Sequence, residues 1–337
     1  MLDKPSMNRS DVSVLPPTPS LVRSIRAGFD AIANHFLLIA FPFILDLFLW
    51  LGPHLRITTL TRSLTDRLFA LYQSQDPSLS ETLRISQEAW RLIAEQFNLM
   101  AILRSYPVGI PSLLVGRLPI ANPLGAPQSL EVMSSVQAVL VWLLLILVGL
   151  LLGTFYFAVV AQATLEGKIN WSQVIRRWPW SSLQIILLAL LLAGILLVIC
   201  VPGSFLIALV MFGSLSFGQC ALLLFAGFIF WLFMPLVFSP HGIFVHQYNV
   251  INSLKNSVNL VKHTLPSTVL FVLAAFLISK GLDILWLAPA ETSWLMLVGI
   301  LGHAFIATSI LASSFAYYRD ADRWTRQVMD AKAANSA

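Results

Sequence analysis

Long apolar runs separated by short polar segments dominate the pattern of this chain. A helix needs about 20 apolar residues to cross a hydrocarbon layer about 30 Å thick. Six runs approach or exceed this length, and they lie near 36–51, 138–161, 183–211, 217–238, 268–287 and 294–317. The pattern predicts an all-α, polytopic membrane protein with six transmembrane helices. The third run is long for one crossing and contains Pro202, where we expect a kink or an early end.

The composition excludes a water-soluble globule. Of the 337 residues, 57% are hydrophobic and 11% are charged, whereas a soluble domain has about 25% charged and 45–50% apolar residues. No Asp, Glu, Lys or Arg occurs between Arg177 and Lys255. The net charge of +5 does not indicate a nucleic-acid partner, because the Lys and Arg residues lie between apolar runs and form no binding stripe. Membrane lipids are the partners that this composition predicts.

The distribution of Lys and Arg indicates the orientation. These residues occur before the first run, after the second and fourth runs and in the tail, whereas 213–216 and 290–293 contain none. Because short cytoplasmic loops carry the excess of Lys and Arg, both termini are predicted to be cytoplasmic in a bacterial inner membrane. The predicted organisation is a cytoplasmic N-terminal segment with an amphipathic helix (1–35), a first transmembrane helix (36–52), an extracytoplasmic helical insertion (53–134), a five-helix transmembrane bundle (135–318) and a cytoplasmic tail (319–337).

The two ends of this organisation carry separate expectations. The first run contains Pro42 and Asp46 and follows a polar leader that is too long for a secretory signal peptide. No small-x-small cleavage site follows it, so we interpret the run as a retained signal-anchor helix. The tail is polar, and we expect it to fray.

The insertion is the one part of the chain with mixed charge. Ser80 and Glu81 predict the start of a helix, and 57–72 is a second predicted helix. Five prolines in 105–128 predict coil or turns there. Helical spacing relates Ile85, Ala89, Leu92, Ile93, Gln96, Met100 and Leu103. We interpret this stripe as the packed face of a small helical cap, because such stripes usually pack; the alternative is a lid or a partner-binding surface.

Two predicted cytoplasmic segments are amphipathic. One lies in 21–32, and the other is 250–265, where Asn and Lys residues occupy the face opposite the apolar one. The apolar face of the second consists of Val250, Ile251, Leu254, Val258, Val261 and Leu265. Both segments suit helices that lie in the headgroup layer with their basic side toward anionic lipid. The alternative, a helix packed on its own bundle, stays open.

Four ionisable residues fall inside predicted spans: Asp46, Lys280, Asp283 and His303. At about 1.5 Å per residue they lie at similar depths, so they can meet, with Asp46–Lys280, Asp283–His303 and Lys280–Asp283 as candidate pairs. A charge at this depth costs at least about 2.5–3.5 kcal/mol and needs a partner or a cavity. The cluster is either a polar midplane site for an ion, proton or lipid headgroup, or a structural ion pair. The second is favoured because no polar stripe accompanies the four residues.

The sequence contains no motif of the common soluble enzymes and no metal-ligand spacing. His241 and His246 fall on different helix faces without a Cys or acid to complete a site, and we interpret them as interfacial histidines. We therefore predict no enzyme, no cofactor and no metal. Gly149 and Gly153 form a GxxxG pair that lets the second span approach a neighbour, in the same chain or across a homodimer; the alternative is a chance pair in an apolar run.

The segments 233–237 (FMPLV), 250–257 (VINSLKNS) and 260–262 (LVK) carry a resemblance. A proline-bearing apolar run, a turn and an amphipathic segment resemble uncharacterised six-helix bacterial membrane proteins. They are also similar to the membrane domain attached to some glycerophosphodiester phosphodiesterases. Ser253 stands where that pattern usually has alanine, and only a short tail follows the last run. The resemblance covers about 136–318 and implies the six-helix architecture without hydrolase activity.

These observations predict a non-enzymatic membrane-organising or accessory protein. It would contact lipid, or a protein partner at the insertion, or a second copy through Gly149 and Gly153. The alternative is a small transporter or lipid-handling protein that uses the intramembrane polar cluster.

Overall fold

The computed structural model describes residues 18–75, 80–116 and 121–336. Helices dominate these residues, and the all-α prediction is confirmed. The helices are α1 (Leu21–Asn34), α2 (Ala40–Leu51), α3 (Thr58–Gln75), α4 (Ser80–Gln96), α5 (Ser135–Glu166), α6 (Trp171–Gly213), α7 (Leu215–Phe233), α8 (Ser239–His246), α9 (Val250–Trp286) and α10 (Met296–Ser336). Two short strands, β1 (His54–Arg56) and β2 (Ser129–Glu131), pair in parallel and join the two ends of the insertion.

Five helical units of the described chain are long and apolar enough to cross a membrane. They are α5, α6, the α7–α8 unit, α9 and α10. A sixth crossing is present if α1 and the bent helical segment Phe36–Leu51 count as one span, and these two meet at an angle of 95°. The protein is therefore a membrane protein with transmembrane helices. Trp50 on α2 donates its indole N–H to the carbonyl of Glu291, which follows α9, at 2.9 Å.

Helix α1 packs along α10. The buried Gly28 lies against Ser309 and Ser313, where a Cβ atom would collide. The Ser313 hydroxyl donates to the Ile25 carbonyl at 3.2 Å, and the Phe29 ring meets the edge of another aromatic ring on α10. For α1, the structure thus shows the packed alternative. Residues 1–17 of the N-terminal segment lie outside the described residues.

Helix α6 does not end early. It continues through Pro202 to Gly213, so the expected early end is wrong. Proline in an apolar helix is tolerated where neighbouring helices and hydroxyl groups compensate for the lost backbone bond. Here the freed acceptor is the Val198 carbonyl, and α7 packs close by, with its Phe225 ring against Gly203.

The helix is interrupted between α7 and α8, and the start of α9 packs on this helix break. The Ser257 hydroxyl donates to the Pro235 carbonyl at 2.7 Å, and the Ser253 hydroxyl donates to the Ser239 carbonyl. The inward face of 250–265 therefore combines small polar residues with the buried apolar side chains of Val250, Leu260 and Val261. Three residues of the predicted apolar face are exposed instead, and they are Ile251, Val258 and Leu265. The segment packs on the bundle while it presents apolar side chains outward.

The tail is part of the fold. Helix α10 runs on to Ser336, and the expected fraying from Arg319 onward is wrong for 319–328, where buried side chains pack on the bundle. The Asp322 carboxylate, which is buried, meets the His246 imidazole at 3.1 Å, Arg326 at 2.9 Å and the Asn256 amide at 3.1 Å. These contacts tie α8, α9 and α10 together, and His246 belongs to this network.

Helices α3 and α4 form a two-helix arm in the insertion, outside the candidate spans. The Gln87 amide donates to Asp66 at 2.7 Å, which holds the two helices together. The predicted stripe is not packed along the arm, because Ile85, Leu92 and Ile93 are each more than half exposed. The cap interpretation of this face is wrong. Only the later stripe residues Met100 and Leu103 pack against the core.

Candidate functional site

Asp46 binds the insertion. Its carboxylate is fully buried and accepts the backbone N–H groups of Leu113 at 2.9 Å and Leu114 at 3.2 Å, together with the Ser112 hydroxyl. These donors lie at the start of a short 3₁₀ turn, Leu114–Gly116. A carboxylate at such a position satisfies N–H groups that have no partner inside the turn. Asp46 thus caps a turn of the insertion from within the bundle.

The loop before this turn enters the bundle, and α5 provides the space for it. Val108 is fully buried, and its carbonyl lies against Gly153 of α5. Gly149 lies in the same way against the Leu103 carbonyl. The Ser105 hydroxyl donates to the Ile146 carbonyl of α5 at 3.2 Å. The two glycines therefore serve a contact within the chain, as one predicted alternative has it. A homodimer through this pair would require the loop to leave.

Three of the four predicted cluster residues form a connected group. The Lys280 ammonium lies 2.8 Å from one Asp283 oxygen, and the His303 Nδ1 lies 2.8 Å from the other. The side chain of Lys280 is 54% exposed, whereas those of Asp283 and His303 are 12% and 7% exposed. Since a carboxylate beside an ammonium accepts, Nδ1 carries the donated proton. The other ring nitrogen, Nε2, is buried without a hydrogen-bond partner in the described structure.

Asp46 lies near this group but, within the described residues, forms no hydrogen bond with it. It interacts electrostatically with His303, but its hydrogen bonds go to the insertion loop and not to Lys280. The candidate pair Asp46–Lys280 is therefore not formed in the described structure, whereas Lys280–Asp283 and Asp283–His303 are. Sequence depth places the four residues near one level, yet it gives no sign of the loop that Asp46 binds.

A half-open cleft of about 390 Å³ lies beside these residues. Its walls are α9 and α10, the break before α8 and the loop that enters the bundle, and we call it the α9–α10 cleft. Apolar side chains form most of the lining, including Pro111, Leu236, Phe271, Val272, Ala275 and Ala307. In general, ligand sites are clefts of about 300–1,000 Å³ with mostly apolar walls and a few polar groups.

His241 lies at the end of the cleft that is far from Asp283. Its Nε2 is 2.8 Å from the Ser314 hydroxyl, which itself donates to the Leu311 carbonyl at 2.6 Å. Because that hydroxyl has only one proton, Nε2–H is the donor and Nδ1 is the unprotonated nitrogen. His241 is buried and lies among aromatic rings, so the interfacial interpretation is wrong for this residue. Its partner is 73 residues away in the chain, and no local pattern signals such a contact.

Comparison of the chain with protein-family models, curated proteins and solved structures finds no match. In the part of the chain that the structure describes, no group of three or more His, Cys, Asp or Glu residues is arranged for a metal ion. The functional interpretation therefore depends on the geometry of the arm, the polar group and the cleft.

Proposed function

We propose that this chain is a non-enzymatic accessory protein of a bacterial inner membrane, with six transmembrane helices and both termini in the cytoplasm. Its partner would be another protein that binds the arm on the extracytoplasmic side. The resemblance to six-helix bacterial membrane proteins is consistent with this architecture. The proposal depends on one observation above all, the apolar face of the arm.

The exposed face of α4 supports a binding role. Ile85, Leu92 and Ile93 lie on one side of the helix, and each has more than half of its surface exposed. The polar side chains of Glu88 and Arg91 lie beside this face. The arm is not a candidate span, so its face is not explained by a crossing of the membrane. Contiguous apolar surface bordered by polar residues is typical of a protein interaction site.

The contacts inside the bundle are consistent with an accessory role. Asp46 is used to hold the insertion loop, and Asp283 bridges Lys280 and His303. Both arrangements stabilise the position of one segment against another. They support the interpretation of the buried charges as structural elements.

Site-specific crosslinking in host membranes tests the proposal. A photoreactive amino acid is placed at Leu92, within the apolar face, and at Arg91 as the matched control. We expect a discrete protein adduct at Leu92 that disappears when Ile85 and Ile93 are replaced by serine, and no such adduct at Arg91. Adducts with lipid alone at Leu92 would show that the arm lies on the bilayer surface, and the proposal would be wrong.

A small transporter or lipid-handling protein is the second candidate. It is favoured by the buried Nε2 of His303, which has no hydrogen-bond partner in the described structure and lies near Asp283 and the half-exposed Lys280. Native mass spectrometry from nanodiscs of host lipids, with Asp46→Asn and Lys280→Met, separates the two candidates. A stoichiometric small-molecule adduct that both substitutions abolish in folded protein supports handling. Variants that differ only in stability support the structural role.

A further inference from the structure

The α9–α10 cleft lies between helices that cross the hydrocarbon layer. Its lining comes from the middle of α9, from Phe271 to Ser279, and the middle of α10, from Ala307 to Ser314. The described side chains leave about 390 Å³ between these walls. A gap of this size in a packed interior deprives the lining atoms of dispersion contacts, so it favours any molecule that fits.

The chemistry of the walls selects the occupant. Apolar cavities do not hold water, because a buried water needs about two to four polar partners. The molecules at this depth are the acyl chains of the lipids themselves. We propose that the cleft binds one acyl chain of a membrane phospholipid.

The polar groups at the two ends of the cleft agree with a single chain along its length. One helical turn beyond Ser279 and Ala307, on the same faces of α9 and α10, lie Asp283 and His303. The opposite end is closed by His241 and Ser314. The apolar part of the half-open cleft therefore has polar groups at both of its ends.

The walls are held in place by contacts that do not involve the occupant. The Tyr317 hydroxyl lies 2.9 Å from Ser267 and 3.1 Å from Thr268, and its ring stacks on Phe271 with centroids 4.5 Å apart. The loop wall is fixed through Asp46. Burial from water does not distinguish the cleft from bulk lipid, since both are apolar; dispersion contacts with fixed walls do. A chain in the cleft should therefore exchange more slowly than the surrounding lipids.

The acyl chain would be the ligand of the second candidate function. Its biological role rests on that candidate, whereas its binding to the cleft does not. This inference is independent of the arm, because binding is measured inside the bundle. Loss of the protein adduct at Leu92 would leave it intact, and its own failure would leave the arm proposal intact.

Photolabelling in nanodiscs tests the inference. The full chain is reconstituted in phosphatidylglycerol and phosphatidylethanolamine that contains a small fraction of phosphatidylglycerol with a diazirine in one acyl chain. Crosslinked residues are identified by peptide mass spectrometry in wild type, in Ala275→Phe and Ala307→Phe, which fill the cleft, and in Ala226→Phe, which adds the same ring to the exposed face of α7. Circular dichroism and thermal unfolding verify that each variant is folded.

We expect crosslinks to the cleft lining in wild type and in Ala226→Phe, and their loss in both cleft variants, while labels on exposed α7 persist. Val272→Phe provides a third filling variant if one of the others does not fold. Cleft labels that persist in folded filled variants would overturn the inference, and so would labels that are confined to the outer helix faces. A co-purified lipid without acyl chains that the filling variants displace would also overturn it.

Discussion

The carboxylate of Asp46 on α2 accepts the backbone N–H of Leu113 at 2.9 Å, across 67 positions of the chain. This bond joins the first apolar run to the far side of the insertion. Together with β1 and β2, it fixes a loop whose prolines and short turns give it little regular structure of its own. A residue that sequence reasoning places in a charge cluster thus acts as the anchor of a loop.

Replacement of Asp46 by alanine should destabilise the protein. It leaves the N–H groups of Leu113 and Leu114 and the Ser112 hydroxyl without their acceptor, and each buried donor without a partner costs about 1–3 kcal/mol. We expect the free energy of unfolding in micelles to fall by about 3 kcal/mol or more, with faster hydrogen exchange in 105–116. Asp30→Ala is the control, because its ion pair with Arg26 is exposed and should contribute less than about 1 kcal/mol. Equal losses in the two variants would contradict the anchoring role.

Gly153→Ala should displace the loop from α5. The added Cβ would collide with the Val108 carbonyl, and overpacking of this kind costs about 1–3 kcal/mol. Gly227→Ala is matched in chemistry and lies in a membrane helix, but its Cβ meets no neighbouring atom. This control should be neutral or slightly stabilising, because alanine favours helix over glycine by about 1 kcal/mol. Thermal unfolding of both variants checks the difference, and a Gly153→Ala protein as stable as the control would disprove the close contact.

The ion group on α9 and α10 should respond unequally to substitution. Asp283→Ala removes the shared partner of His303 and Lys280, and loss of one member of a buried pair costs about 3–5 kcal/mol. Lys280→Met should cost less than Asp283→Ala, because it leaves the contact between Asp283 and His303 in place. Unfolding in mixed micelles with increasing dodecyl sulfate measures both. A larger loss for Lys280→Met than for Asp283→Ala would show that the lysine, not the carboxylate, organises the group.

The insertion should lose stability in acid through His54 on β1. Burial lowers the pKa of this histidine below its ordinary value of 6.5, and the charge of Arg56 lowers it further, whereas a hydrogen bond to the Leu49 backbone acts in the opposite direction. The folded state therefore favours neutral His54, and the unfolded chain binds the proton first as the pH falls. Stability is complete above about pH 6.5 and declines below it. Protection factors for hydrogen exchange in 54–56 and 129–131, compared at pH 8 and pH 5, check this. His54→Leu is expected to remove the pH dependence of the protection. An unchanged pH dependence of protection in that variant would assign the effect to another group.

Local periodicity predicts much of this fold. The helical segment Phe36–Leu51 has the bounds of the first apolar run, and α3 and α4 begin within a residue of the predicted helices. Depth and spacing also give Asp283–His303 as one of three candidate pairs, of which two are formed. These features depend on residues near one another in sequence, or on the simple geometry of antiparallel helices.

Local patterns do not show which face of a helix packs against the rest of the protein. Ser253 and Ser257 point inward because the break at Pro235 and Ser239 offers carbonyls that need donors, and nothing in 250–265 alone reveals that demand. The stripe at Ile85 and Leu92 has the periodicity of a packed face although nothing in the described structure packs on it. Contacts such as His241–Ser314 arise only when distant segments meet, and one sequence carries no local sign of them.

The length of α6 has a consequence for how much of the membrane this protein occupies. Its 43 residues, at a rise of about 1.5 Å each, extend for about 64 Å, roughly twice the hydrocarbon thickness. No Asp, Glu, Lys or Arg occurs from Trp178 to Leu254, so neither its far tip nor α7 has a charged anchor for the headgroup layer. A helix longer than one perpendicular crossing is accommodated by tilting, by bending or by locally thickening the bilayer. No residue of α6 after Leu192 is buried in the described structure, and Gly218 is the buried residue of α7, so this hairpin extends the lipid-facing surface of the protein beyond the packed bundle.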